Sequence, residues 1–209
     1  MEVSNLSQAL KLLRGAMESY APLEDATWSS MVRMTTLREI PRGGLLLREG
    51  DVPASFGYVC RGLLRHYTTT ASGQEYNKIF FAENSFPGSM VALLTGKAST
   101  FSIEALEDST VLTIHFARFR ELLSRSSDLM WFQIQYLETN WLLAKEAREV
   151  ALVQDSATER YLRFLREHPG LDARVAQYHI ASHLGITPTQ LSRIRGALKQ
   201  GEGASPEKG

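Results

Sequence analysis

"IASHLGITPTQLSRIR", Ile180 to Arg195, is the stretch whose reading decides the fold. Ala181 is small enough to let two helices approach. Gly185 follows where the turn between them needs a positive φ at little cost. Ile180, Leu184 and Ile186 supply apolar contacts from the first helix and the turn, and Leu191 and Ile194 return them from the second. Thr187 as N-cap, Pro188 at the first helical position and Gln190 as the capping-box partner place a helix start at Pro188. With Leu191 and Ile194 inward, Thr189, Ser192, Arg193 and Gly196 face outward. Short polar residues near a helix start and one arginine suit a major groove, where an arginine can grip guanine O6 and N7. Thr187 and the free N–H groups beside it suit a phosphate. The alternative is a plain αα-hairpin.

Charge supports the first reading locally. The chain has 209 residues and a formal net charge of zero. From Ala173 to Gln200, however, Arg174, Arg193, Arg195 and Lys199 occur without any Asp or Glu. Gln190, Arg195 and Lys199 complete the candidate DNA-contacting set.

Upstream, Gln154–Gly170, "QDSATERYLRFLREHPG", reads as a helix stopped by Pro169 and Gly170. Before it, "SSDLMWFQIQYLETNWLLAKEAREVAL" has no Gly or Pro, and Ser127 or Asp128 can cap its start. Met130, Ile134, Leu137, Trp141 and Ala144 recur at coiled-coil spacing. Leu129, Phe132, Tyr136 and Leu143 form a second apolar face. A helix apolar on two faces needs two covers. One is the chain's own β domain; the simplest second is the same helix of another subunit about a two-fold axis. A central helix of a monomer is the alternative.

From about Thr36 to Phe116 the texture is short strands and turns. "REIPRGGLLLREGD" carries Pro41, Gly43, Gly44 and Gly50 around Leu45–Leu47, and "FGYVCRGLLRHYTTT" alternates. Ile103, Ala105, Val111, Thr113 and His115 keep period two within their runs. This spacing predicts an antiparallel barrel or sandwich. The tail from 201 to 209 reads as disordered.

In this order of parts the chain resembles the Crp/Fnr superfamily of bacterial transcription regulators. "IPRGGLLLREGDVPASFGYVCRGLLRHY" and "NKIFFAENSFPGSMVALLTGKASTFSIEALEDSTVLTI" look like the two halves of that family's β-roll. The Met130–Ala144 seam falls where the family has its dimerisation helix, and the opening stretch falls in its DNA-binding domain. The resemblance implies an α+β fold: an antiparallel, cyclic-nucleotide-binding-like β-roll with N-terminal helices over 1–126, a long dimerisation helix over 127–152, and a helix-turn-helix domain over 153–200. The tail is too short for the usual hairpin, so the wing is expected shortened or absent. The implied protein is a cytoplasmic homodimer on a palindromic DNA site, an activator or a repressor. RNA polymerase is a further partner if it activates.

Departures shape the rest. Cyclic-nucleotide-binding relatives carry a Gly-Glu pair and an Arg-Ser pair around the ligand. Here the matching pairs are Gly88-Ser89 and Ser99-Thr100, so both charged groups are missing. An anionic phosphate would lie poorly compensated, and weak or no cyclic AMP binding is expected. The expected effector pocket, for an unknown small molecule or none, lies between Phe86, Gly88, Ser89 and Met90, the Ser99–Phe101 segment with Thr100, and Asn140. Pro188-Thr189 stand where well-known relatives have Arg-Glu, while Arg193 matches a base-contacting arginine.

A single cysteine, Cys60, excludes an intrachain disulfide and a multi-cysteine metal cluster. The N-terminus lacks signal-peptide features, and no apolar run approaches the roughly 18 residues of a membrane span. No cofactor or metal is expected. A β-roll metal enzyme would need clustered ligands, and the five histidines are scattered. His179 and His183, four apart, read as surface residues near a phosphate. A dimeric signalling module without DNA contacts is the other reading.

Overall fold

The computed structural model describes residues 5–143 and 155–202. Two antiparallel sheets form the β-roll. The first orders β1 (Thr35–Ile40), β7 (Ser109–His115) and β3 (Ser55–Arg61), with β7 between the others. The second orders β2 (Leu45–Leu47), β6 (Ser102–Ala105), β4 (Leu64–Thr69) and β5 (Glu75–Phe81), leaving β5 at an edge. Strand period two sends successive side chains to opposite faces. Ile40, Val59, Leu64, Ile103, Ala105 and Val111 therefore meet between the sheets. Tyr58, Cys60, Leu112 and Ile114 point the other way, into a helical layer.

That layer is built from α1 (Leu6–Glu18), α2 (Asp25–Val32), α4 (Phe116–Leu123) and α5 (Ser127–Leu137). Ala9, Leu13 and Met17 recur at spacing four along α1 and are buried there with Met31, Phe119, Leu122, Leu129 and Phe132. Strand β7 is thus covered on both sides, and Leu112 and Ile114 are as buried as Val111. The short α3 (Met90–Thr95) lies on the loop after β5. Gly62 makes the tightest approach of the roll. Its φ is +100°, and a Cβ there would sit 2.2 Å from Ser109 Oγ.

Two expectations about the long helix change. Its N-cap is Ser126, which makes no side-chain cap bond. Asp128 instead turns back to α2, accepting from Glu24 N at 2.9 Å and Thr27 Oγ1 at 3.0 Å. The helix is also not α-helical throughout: Glu138–Leu143 form a π-helical segment. A wider turn rotates the following positions off the preceding faces. Leu129 and Phe132 are buried and Tyr136 packs on the core, but Leu143, expected on that same face, is 62% exposed.

The C-terminal domain comprises α6 (Ala157–Glu167), α7 (Leu171–Arg174), α8 (Gln177–Leu184) and α9 (Pro188–Glu202). Ser156 and Glu159 close a full capping box at the start of α6. Tyr161, Phe164, Leu171, Val175, Ile180, Ala181, Leu184 and Leu191 form its core, and Leu63 and Phe80 of the roll belong to the same cluster. Helix α9 runs two residues into the stretch expected as tail, and no strand follows it among the described residues.

Candidate nucleic-acid interface

The turn between α8 and α9 is built as its residues dictate. Gly185 takes φ +68° and Ile186 N donates to Ala181 O at 3.0 Å, closing α8. Ala181 is fully buried at the crossing. Gln190 N donates to Thr187 Oγ1 at 3.1 Å and Thr187 N donates to Gln190 Oε1 at 2.8 Å, a reciprocal box that starts α9 at Pro188. Gln177 Nε2 donates to Pro188 O at 2.7 Å and ties the two helix starts together. Leu191 is fully buried and Ile194 packs beside it. That leaves Thr187, Thr189, Gln190, Ser192 and Arg193 exposed on one end of α9, with Lys199 exposed farther along.

Two of the four cations expected to make this region positive are engaged elsewhere. Arg195 Nε donates to Tyr161 Oη at 2.9 Å, and its guanidinium lies over that ring. It faces the domain, because its position follows Ile194 onto the covered side. Arg174 pairs with Glu83 and Glu107 of the roll, contacts that push its pKa further up. Arg193 and Lys199 remain as the outward cations of α9.

The two histidines of α8 are not surface residues. His179 is 5% exposed. Burial first, then the charge of Arg65, lowers its pKa to about 4. The Nδ1 of half-buried His183 lies 3.3 Å from Asn77 O. The face of α8 that a free helix would show to solvent is turned onto β5. Among the described residues no group of His, Cys, Asp and Glu is placed to hold a metal ion.

The expected effector residues are spread over several places in the roll and its helical layer. Ser99 is buried, and its Oγ donates to Phe101 O at 2.9 Å. Phe101 stacks on His66, ring centroids 3.5 Å apart. Burial first, then Lys78, lowers the pKa of His66 to about 4, so the stacked imidazole is neutral. Thr100 is exposed beside them. Phe86 and Asn140 lie on the helical side instead. Phe86 packs on Tyr58 and Tyr136, and Asn140 Nδ2 donates to Tyr20 Oη at 2.9 Å. Ser89 is buried at the start of α3 and Met90 opens that helix. Gly88 lines a groove of about 420 Å³ at the mouth of the roll, together with Arg38, Leu46, Arg48, Pro87 and Thr113.

Of the expected dimer stripe, Met130, Ile134, Leu137 and Trp141 are 42–53% exposed, and Trp131 and Leu142 extend the apolar surface. Ala144 lies outside the described residues. No described helix is long and apolar enough to cross a membrane.

Sequence reasoning missed the groups that join the two domains, Arg65, Asn77 and Ser182, and the Glu104 carboxylate that holds Arg65 in place. A lone arginine inside the apolar run "GLLRHY" was the available signal.

Residues 37–126 match the cyclic nucleotide-binding domain family. The chain is 25% identical over 177 residues to the regulatory protein HlyX of Actinobacillus pleuropneumoniae, covering 78% of this chain and 71% of HlyX. It is 31% identical over 94 residues to mouse patatin-like phospholipase domain-containing protein 7, a match spanning 44% of this chain but 7% of that protein. Among solved structures, the c-di-GMP-responsive global regulator CLP of Xanthomonas campestris superposes with a TM-score of 0.65 at 18% identity, covering 89% of this chain and 96% of CLP.

Proposed function

From a chain that carries a cyclic nucleotide-binding domain and has the fold of the Crp/Fnr-type regulators, we propose a sequence-specific DNA-binding transcriptional regulator. It acts as a homodimer on a two-fold symmetric site. The carrying observation is the start of α9: a capped helix end, exposed, with Thr187, Thr189, Gln190, Ser192 and Arg193 on its open face. Backbone N–H groups and Thr187 position a phosphate, and Arg193 reads a base edge. The exposed Met130, Ile134, Leu137 and Trp141 stripe supports pairing of two such chains about a two-fold axis. Two recognition helices then address half-sites about 34 Å apart.

The β-roll is the sensory part of this reading, with an unidentified effector or none. Ser89 and Ser99 supply no charge for a cyclic phosphate, and Phe101 with His66 fills space between the sheets. In this reading cyclic AMP binds weakly or not at all. If the protein activates transcription, RNA polymerase is its further partner. Selection from a pool of random duplexes, followed by titration across salt concentrations, tests the proposal. A palindromic consensus whose affinity falls steeply with salt is expected; recovery of no preferred sequence sinks it.

A further inference from the structure

A strand at a sheet edge leaves backbone N–H and C=O groups without partners. Along β5 those groups meet α8. Ser182 Oγ donates to Glu75 O at 3.0 Å and accepts from Asn77 N at 3.0 Å. Behind this contact, Arg65 of β4 is 5% exposed and held by Glu104 at 2.5 Å and Glu75 at 2.5 Å. It also donates to Asn77 Oδ1 at 3.1 Å. Asn77 is 1% exposed, and its Nδ2 donates to His179 O at 3.3 Å and Nδ1 at 3.1 Å. Arg65 reaches the same Nδ1 at 3.2 Å. Guanidinium only donates, so Nδ1 accepts and the imidazole proton sits on Nε2.

Apolar and ionic contacts flank the network. Phe80 of β5 lies 6.2 Å from the Phe164 ring, and Leu63 is fully buried in the same cluster. Arg174 grips Glu83 at 2.9 and 3.0 Å and Glu107 at 2.8 and 3.0 Å. Separating the domains breaks the contacts of Arg65 and Asn77 with His179 and those of the β5 backbone with Ser182, while the pairs of Arg65 with Glu75 and Glu104 stay within the roll.

We propose that Arg65, Asn77, His179 and Ser182 form an interdomain latch that clips the first helix of the helix-turn-helix onto the edge of the β-roll and so sets the orientation of α9. The latch goes beyond the DNA-binding reading, and it is measured without DNA, so either can fail alone.

The test uses the full chain in a Cys60→Ala background, with spin labels at Arg42→Cys and Gln200→Cys. With the labelled chain diluted in excess unlabelled Cys60→Ala chain, double electron–electron resonance is expected to give one narrow intrachain distance. Asn77→Ala and Ser182→Ala broaden it and add a second population. Arg163→Ala, which removes an ion pair within the C-terminal domain, leaves it unchanged. Folding is checked by hydrogen exchange in the strands and α9. A parent-like distance in folded latch variants overturns the proposal. If Asn77→Ala does not fold, Ser182→Ala decides: the Asn77 amide should exchange at least about tenfold faster, and unchanged protection overturns the latch.

Discussion

His66 and Arg65 are sequence neighbours on β4 that face opposite ways. His66 stacks on Phe101 within the roll, while Arg65 reaches the buried His179 of α8. Both histidines are held neutral, at about 4. Their folded values lie below 6.5, so the unfolded chain takes up protons first as pH falls. Their contribution is complete above about pH 6.5 and is lost as pH drops toward 4, by up to about 3 kcal/mol each. Urea unfolding at pH 7.5 and pH 5 should show this fall. His179→Gln should flatten it, and an equal slope in the variant contradicts the assignment.

Arg193 and Arg195 differ by two positions and should behave differently. Arg193→Ala is expected to weaken binding to a selected duplex by about 1–3 kcal/mol and relax one base position per half-site. Arg195→Ala should instead lower the melting temperature, because it leaves Tyr161 Oη without its donor. Anisotropy titrations and thermal melts separate the two effects.

An apolar stripe needs a cover. Ile134→Glu, at a half-exposed position on that stripe, should convert a dimer to a monomer in sedimentation velocity while the circular dichroism spectrum is kept. A parent that sediments as a monomer would remove the basis for a two-fold DNA site.

The Gly62 turn tolerates no side chain. Gly62→Ala places a Cβ against Ser109 at a φ of +100° and should cost about 2–4 kcal/mol in urea unfolding. A variant as stable as the parent would show that the turn relaxes freely.

Cyclic AMP at about 1 mM should leave the melting temperature unchanged, since a ligand stabilises only a fold that binds it. An upward shift would mean that Ser89 and Ser99 bind a phosphate without a charged partner.

What could be read from the sequence was local. Thr187, Pro188 and Gln190 lie within four positions, and their capping chemistry places the start of α9 with no knowledge of the rest. The strand region was legible because turn glycines and alternation are short-range signals. Long-range pairings were not. Arg65 meets His179 across 114 positions and Glu104 across 39. His179, read alone, is a polar residue on an amphipathic helix, and nothing near it announces a buried partner. The effector residues divided for the same reason: Phe86 and Phe101 flank one helix in sequence, yet Phe86 packs into the helical layer and Phe101 between the sheets. The π-helical segment was also hidden, since Glu138–Leu143 fits an α-helical pattern equally well.

Ser182 occupies the hydrogen-bonding positions that an incoming strand would use on β5. The C-terminal domain therefore acts as a built-in guard against stickiness. A β-roll produced without it would present a bare ribbon of backbone and an uncovered Phe80, a new edge through which copies would pair strand to strand.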